Sequence, residues 1–248
     1  MRRPSNRLKE NYEPGRGKAQ IIETPKQLAH ILWSASIGAT GPRNVALLWM
    51  LFGSGLRINE AAQLKIKDIF DSDGELKSSF RLPGSYTKTG KPRVIFLLVS
   101  QQRDALLSLR DQRLADRVML SSDGSYGGLA PDSPLFLALK GKSWRKLAFN
   151  PKKYPDSEGN IKTTMVCGSL ENLVRELIKR AGAEAGSSHS GRRSLASWMD
   201  RRGYDLKTIQ IVLGHATPDM TLVYIDPWPQ RIDLAFKQTC QNLTVPKF

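Results

Sequence analysis

The chain has three histidines, and two of them stand in short polar motifs toward its end. In "SHSGRRSLAS", Ser188 to Ser197, His189 precedes Arg192 by three positions. In "LGHATPDMTLVYID", Leu213 to Asp226, His215 precedes Tyr224 by nine. Imidazoles move protons near neutral pH. A guanidinium grips an oxyanion with a planar fork. A phenol, with its free pKa of about 10, becomes a nucleophile only when a neighbour accepts its proton. Residues of these types suit attack at a centre that gathers negative charge. Upstream, Arg57 follows a Gly-Ser-Gly break and has Glu60 three residues on, while Lys88 sits in a Thr-Lys-Thr-Gly turn.

Each of these residues also has a plainer reading when taken alone. Arg57 and Glu60 form an ordinary i, i+3 pair on a helix surface. Lys88 reads as a solvated turn lysine, with Lys91 and Arg93 close enough to be mistaken for it. A single histidine is more often a cap or a satisfied side chain, and a tyrosine in "MTLVYI" would usually be core.

The elements that must position these residues follow from periodicity and punctuation. Residues 1–23 are polar, basic and rich in turn formers, and read as a flexible arm carrying Arg2, Arg3, Arg7, Lys9, Arg16 and Lys18. "TPKQLAHILWSAS" predicts a helix with Thr24 as N-cap, Pro25 at the first position and a stripe of Leu28, Ile31, Leu32 and Ala35. "NVALLWMLF" predicts a second helix that stops at Gly53, and a third begins near Arg57. Residues 66–99 change to a strand pattern with Asp-Gly and Thr-Gly turns, which predicts one small antiparallel sheet.

"QQRDALLSLRDQRLADR" returns to a helical period, and residues 120–166 read as loop-rich. The stretch "NPKKYPDSEGNIK" within them is either a partner-contacting insertion or a surface loop, with the loop favoured. "SLENLVRELIKRAG" is an amphipathic helix stopped by Gly182. Short helices follow His189, and a last one is predicted over residues 231–242. The fold class is therefore α+β, mainly helical.

Thirty-eight basic residues against 23 acidic ones give a net charge of +15 and point to a polyanionic partner. No apolar run reaches the roughly 20 residues of a membrane span. Cys167 and Cys240 are far apart and match no metal spacing. A reducing, cytoplasmic setting is the expectation, with no metal and no cofactor.

Four stretches, "FGSGLRINEAAQLKIKDI", "TKTGKPRVIFL", "HSGRRSLAS" and "LGHATPDMTLVYID", resemble in order and spacing the motifs of the tyrosine recombinase (phage-integrase) family. The resemblance runs from about residue 24 to residue 240. It implies a catalytic domain over residues 24–243, without the separate N-terminal helical domain that members usually carry. It also implies a catalytic set of Arg57, Lys88, His189, Arg192, His215 and Tyr224, with Glu60 as a supporting carboxylate. The implied activity is site-specific cutting and rejoining of double-stranded DNA through a covalent 3′-phosphotyrosine on Tyr224.

Two alternatives share these motifs: a silent DNA-binding relative that assists another recombinase, and a type IB topoisomerase-like nicking-closing enzyme. Lys91, Arg93 and Arg193 are expected DNA contacts, and for Arg193 solvent is the alternative. The partners implied are duplex DNA, further copies in a tetramer joined through helix 231–242, and an accessory DNA-bending or directionality factor. The setting implied is a nucleoid-associated protein of a prokaryote, phage or mobile element, with no membrane.

Overall fold

The computed structural model describes residues 19–87, 90–155 and 159–225, together with Ala235 and Lys237. Helix α1, Pro25–Ser36, opens on a capping box in which the Thr24 hydroxyl accepts from the Gln27 N–H and the Gln27 side chain accepts from the Thr24 N–H. It buries Leu28, Ile31 and Ala35 against α2, Gly41–Phe52. Helix α2 is the axis of the molecule, because Ala46, Leu47, Leu48, Met50, Leu51 and Phe52 are all buried. Around it pack α1, α5 (Ser100–Ala115) and α7 (Ser190–Arg201). Gly191 is what lets α7 come so close. A Cβ there would lie 2.8 Å from the backbone carbon of Leu51.

Short helices α3, Ile58–Gln63, and α4, Ile66–Ile69, follow the Gly53–Gly55 turn. Strands β1, Ser79–Leu82, and β2, Arg93–Phe96, pair antiparallel with Phe80 opposite Ile95, and both of these side chains face the core. Helix α6, Gly168–Arg180, packs on α1 and α3. Helix α8, Leu206–Leu213, is capped by Asp205, which accepts from the Thr208 N–H, and α9, Pro218–Leu222, follows with proline at its start. The main core spreads from Ile22 to Ala183. A satellite of Ala196, Ile209 and Leu213 joins α7 to α8 and takes up Tyr224 and Ile225.

The α+β, mainly helical class holds, but the expected single sheet does not. Among the described residues there are three separate two-stranded hairpins: β1–β2, β3–β4 (Ala138–Lys140 with Ser143–Arg145), and β5–β6 (Asn150–Pro155 with Ile161–Val166). The stretch read as a loop is thus largely the β5–β6 hairpin. Its strands carry no regular apolar alternation, which hid them from a reading by period.

The arm expected over residues 1–23 also ends earlier. The Gln20 N–H donates to the Ala185 carbonyl, the Ile22 N–H to the Ser194 hydroxyl and the Trp198 indole to the Ile22 carbonyl. With Ile21 and Ile22 buried, residues 19–22 are a strap laid across α7. The remaining arm residues, Lys18 included, lie outside the described ones. So does the predicted helix 231–242, apart from Ala235 and Lys237, which are helical. No helix among the described residues is long and apolar enough to cross a membrane.

Candidate active site

Arg57 is the N-cap residue of α3, held there by Glu60, whose Oε2 accepts from the Arg57 backbone N–H at 2.8 Å. Their side chains also pair, Nη1 to Oε1 at 2.9 Å. The i, i+3 pair anticipated on a helix surface therefore exists, but Glu60 is only 1% exposed. The reason is a second arginine. Arg93, at the start of β2, places Nη1 2.8 Å from Oε1 and Nη2 2.6 Å from Oε2. The expectation that Arg93 contacts DNA is corrected by this pairing, since its fork is spent on Glu60. Burial alone would raise the Glu60 pKa. The hydrogen bonds and charge of Arg93, and then Arg57, outweigh it and leave the carboxyl below its usual range.

Arg192 is 1% exposed and is the largest fully buried side chain among the described residues. Its Nη1 donates to the Gly55 carbonyl at 2.6 Å and its Nη2 to the Leu213 carbonyl. Among the described residues no carboxylate pairs with it, and its Nε has no partner. Burial, together with the positive charges of Arg57 and Arg93, lowers its pKa to about 9. A cation so placed costs several kcal/mol unless an anion answers it.

Gly55 has φ +60, and a Cβ there would press on Leu195 and Leu213 at 3.0 Å. Glycine at this position thus lets the turn pack closely on α7 and α8. Ser54, beside it, accepts from the Gln102 amide at 2.6 Å and donates to the Phe96 carbonyl at 2.9 Å, which ties the turn to β2 and α5.

Tyr224 follows α9, its N–H bonded to the Thr221 carbonyl at 2.9 Å. The Arg192 guanidinium stands 5.5 Å from the centre of its ring, and the His215 ring 4.8 Å away at 47°. Thr221 fixes His215 through a 2.9 Å contact between Oγ1 and Nδ1. That leaves the buried Nε2 without a partner among the described residues. Burial, and then Arg192, Arg57 and Arg93, push the His215 pKa down to about 3, so this imidazole is neutral. His189 is the N-cap residue of α7 and is exposed overall. Partial desolvation, then Arg192 and Arg57, lower its pKa as well.

Five of the six expected catalytic residues therefore converge: Arg57, His189, Arg192, His215 and Tyr224. Lys88 lies outside the described residues, and Lys91 is exposed beside it. Arg193, expected to meet DNA phosphate or solvent, is corrected by its burial. It turns away from the cluster and donates to the Ala19 carbonyl of the strap. Sequence reasoning missed Thr221, Ser54 and Gln102, since nothing in their spacing separates them from ordinary polar residues.

The cluster sets three guanidiniums against one carboxylate, with two imidazoles and a phenol. Such a site has a positive excess, and Arg192 Nε and His215 Nε2 have no partner among the described residues, a donor set suited to an anion. The chain is 26% identical over 234 residues to an integrase/recombinase of Escherichia coli, covering 90% of this chain and 61% of that one. It is 29% identical over 205 residues to tyrosine recombinase XerC of Mesorhizobium japonicum, covering 83% of this chain and 51% of that one. It thus spans about half to three-fifths of these curated relatives.

Among solved structures, the XerA recombinase is similar with a TM-score of 0.58 and 21% identity, over 93% of this chain and 67% of that one. XerH bound to a palindromic difH substrate is similar with a TM-score of 0.57 and 21% identity, over 89% and 53%. At these identities the structural likeness establishes the fold. Residues 23–231 match the phage integrase family, and with this fold around those motifs the chain belongs to that family, the tyrosine recombinases.

Proposed function

We propose that this chain is the catalytic domain, over residues 24–243, of a site-specific DNA recombinase that cuts and rejoins duplex DNA through a phosphotyrosine on Tyr224. The observation that carries the reading is the packing of the Tyr224 ring against both the buried Arg192 guanidinium and the neutral His215. The Tyr224 Oη attacks phosphorus and its proton passes to His189. The bond from phosphorus to the 5′-oxygen breaks, and the leaving oxygen takes a proton from Lys88. Charge gathering on the two non-bridging oxygens is met by Arg57 and Arg192, with His215 Nε2 as a further donor. The phosphotyrosine keeps the bond energy, so a second 5′-hydroxyl can reverse the step without nucleotide hydrolysis.

The test is a nicked suicide duplex, incubated with the protein and run on a denaturing gel. A covalent adduct is expected from the native chain and none from Tyr224→Phe, with DNA affinity unchanged. Adduct persisting in that variant would move the nucleophile, and Tyr204, which is 52% exposed, would be examined next.

A further inference from the structure

Arg93 has no part in the proposed chemistry, yet it touches segments that carry it. Its two Nη atoms occupy both oxygens of Glu60. Its stem lies against Gly214, where a Cβ would fall 2.4 Å from Arg93 Cδ. Gly214 directly precedes His215, and its φ of +62 turns the chain out of α8 toward the site. Arg93 also opens the strand that follows the Lys88 turn.

The sharing of Glu60 has a consequence for Arg57. A buried carboxylate facing one guanidinium takes it in a two-pronged pair, because that geometry satisfies most of its acceptor sites. Glu60 has instead given both oxygens to Arg93, and beside the bond from its backbone N–H the Arg57 guanidinium reaches it with Nη1 alone. The rest of the Arg57 fork is uncommitted among the described residues, and its side chain keeps 19% of its surface open.

We infer that Arg93 is a positioning residue, which by taking both Glu60 oxygens keeps that carboxylate from closing on Arg57 and leaves the outer edge of Arg57 for the phosphate. The inference rests on the recombinase reading above. It concerns how that reading's first arginine is kept available. Lysine could not do the same, since a single ammonium cannot span both oxygens in the plane of the carboxylate.

The experiment follows single-turnover adduct formation on the suicide duplex across a range of DNA concentrations. It compares the native chain with Arg93→Gln, Arg93→Lys, Glu60→Gln and the Glu60→Gln/Arg93→Gln double variant. Arg93→Gln is expected to lower the limiting rate by about 10- to 100-fold, less than the loss of a direct oxyanion donor, and to leave the half-saturating DNA concentration within about threefold. Arg93→Lys should restore only part of the rate.

The double variant should be at least about tenfold faster than Arg93→Gln, because no carboxylate remains to hold Arg57. A merely structural role predicts the opposite, with the double variant as slow or slower. Weaker DNA binding at an unchanged limiting rate would also overturn the inference and return Arg93 to the phosphate contacts. Should Arg93→Gln fail to fold by circular dichroism, Arg93→Lys against Glu60→Gln/Arg93→Lys makes the same comparison. A native chain that forms no adduct would sink the recombinase reading and this inference with it. Normal native activity matched by Arg93→Gln would sink the inference alone.

Discussion

Arg192 turns its guanidinium inward to the Gly55 and Leu213 carbonyls, while Arg193, one residue on, sends its own to the strap at Ala19. Neighbours in the chain thus predict different losses. Arg192→Ala should slow adduct formation by at least about two orders of magnitude, the scale of losing one preorganised donor. Arg193→Ala should instead cost about 2 kcal/mol of stability, as a charged hydrogen bond to the half-buried Ala19 carbonyl disappears, with adduct chemistry retained below the melting transition. Thermal melting and the gel assay, run on both variants, would expose a reversed assignment.

His215 makes a second residue-scale prediction. Its folded pKa of about 3 lies below the ordinary 6.5, so between those values the unfolded chain binds the extra proton. Stability must then fall as pH drops below about 6.5, and rise again with pH through that window. Carboxylates such as Glu60, whose pKa is depressed from 4.5, join only lower down. Melting temperatures from pH 7 to pH 5 should therefore decline for the native chain and decline less for His215→Gln. Equal slopes would mean that the imidazole is not held neutral.

At the scale of elements, the site depends on how closely α7 can approach α2. Gly191 sits against the Leu51 backbone, and the Arg192 that follows it inherits its position from that contact. Gly191→Ala should push the helices apart at a cost of about 1–3 kcal/mol, the usual range for overpacking. It should slow adduct formation as well, because Arg192 would leave the Gly55 carbonyl. Melting temperature and single-turnover rate, measured together, check this. A slower reaction without destabilisation would argue against displacement of the helix. The same logic explains the satellite core, where Ala196, Ile209 and Leu213 give Tyr224 an apolar seat beside Arg192 and His215.

For the whole molecule, a +15 charge makes phosphate contacts the natural source of DNA affinity. Log affinity should fall with log salt by about 0.9 per contact on duplex DNA. Deleting residues 1–18 should flatten that slope if Arg2, Arg3, Arg7, Lys9, Arg16 and Lys18 touch the backbone. The cut belongs at residue 18, since residues 19–22 are the strap over α7 and their loss would confound binding with stability. Titrations at three salt concentrations decide the matter, and equal slopes would assign the contacts to the folded body.

Sequence alone was enough for the mainly helical α+β class, for the α1 cap at Thr24 and Pro25, and for the motifs that carry Arg57, His189, Arg192, His215 and Tyr224. These are local signals: caps, periods and short spacings are written within a few residues. What only the tertiary structure decided was the use of each charge. Arg93 looked like a phosphate contact until β2 brought it to Glu60, 33 positions away. Arg193 looked exposed until the strap crossed α7, and Thr221 and Gln102 looked like any polar residues until they met His215 and Ser54. The hairpin at residues 150–166 was missed because pairing partners, and not period, make it a sheet. A side chain's type is local, but its partner is chosen by packing between distant segments, and here that packing sends one arginine to a carboxylate, a second to two carbonyls and a third to the strap.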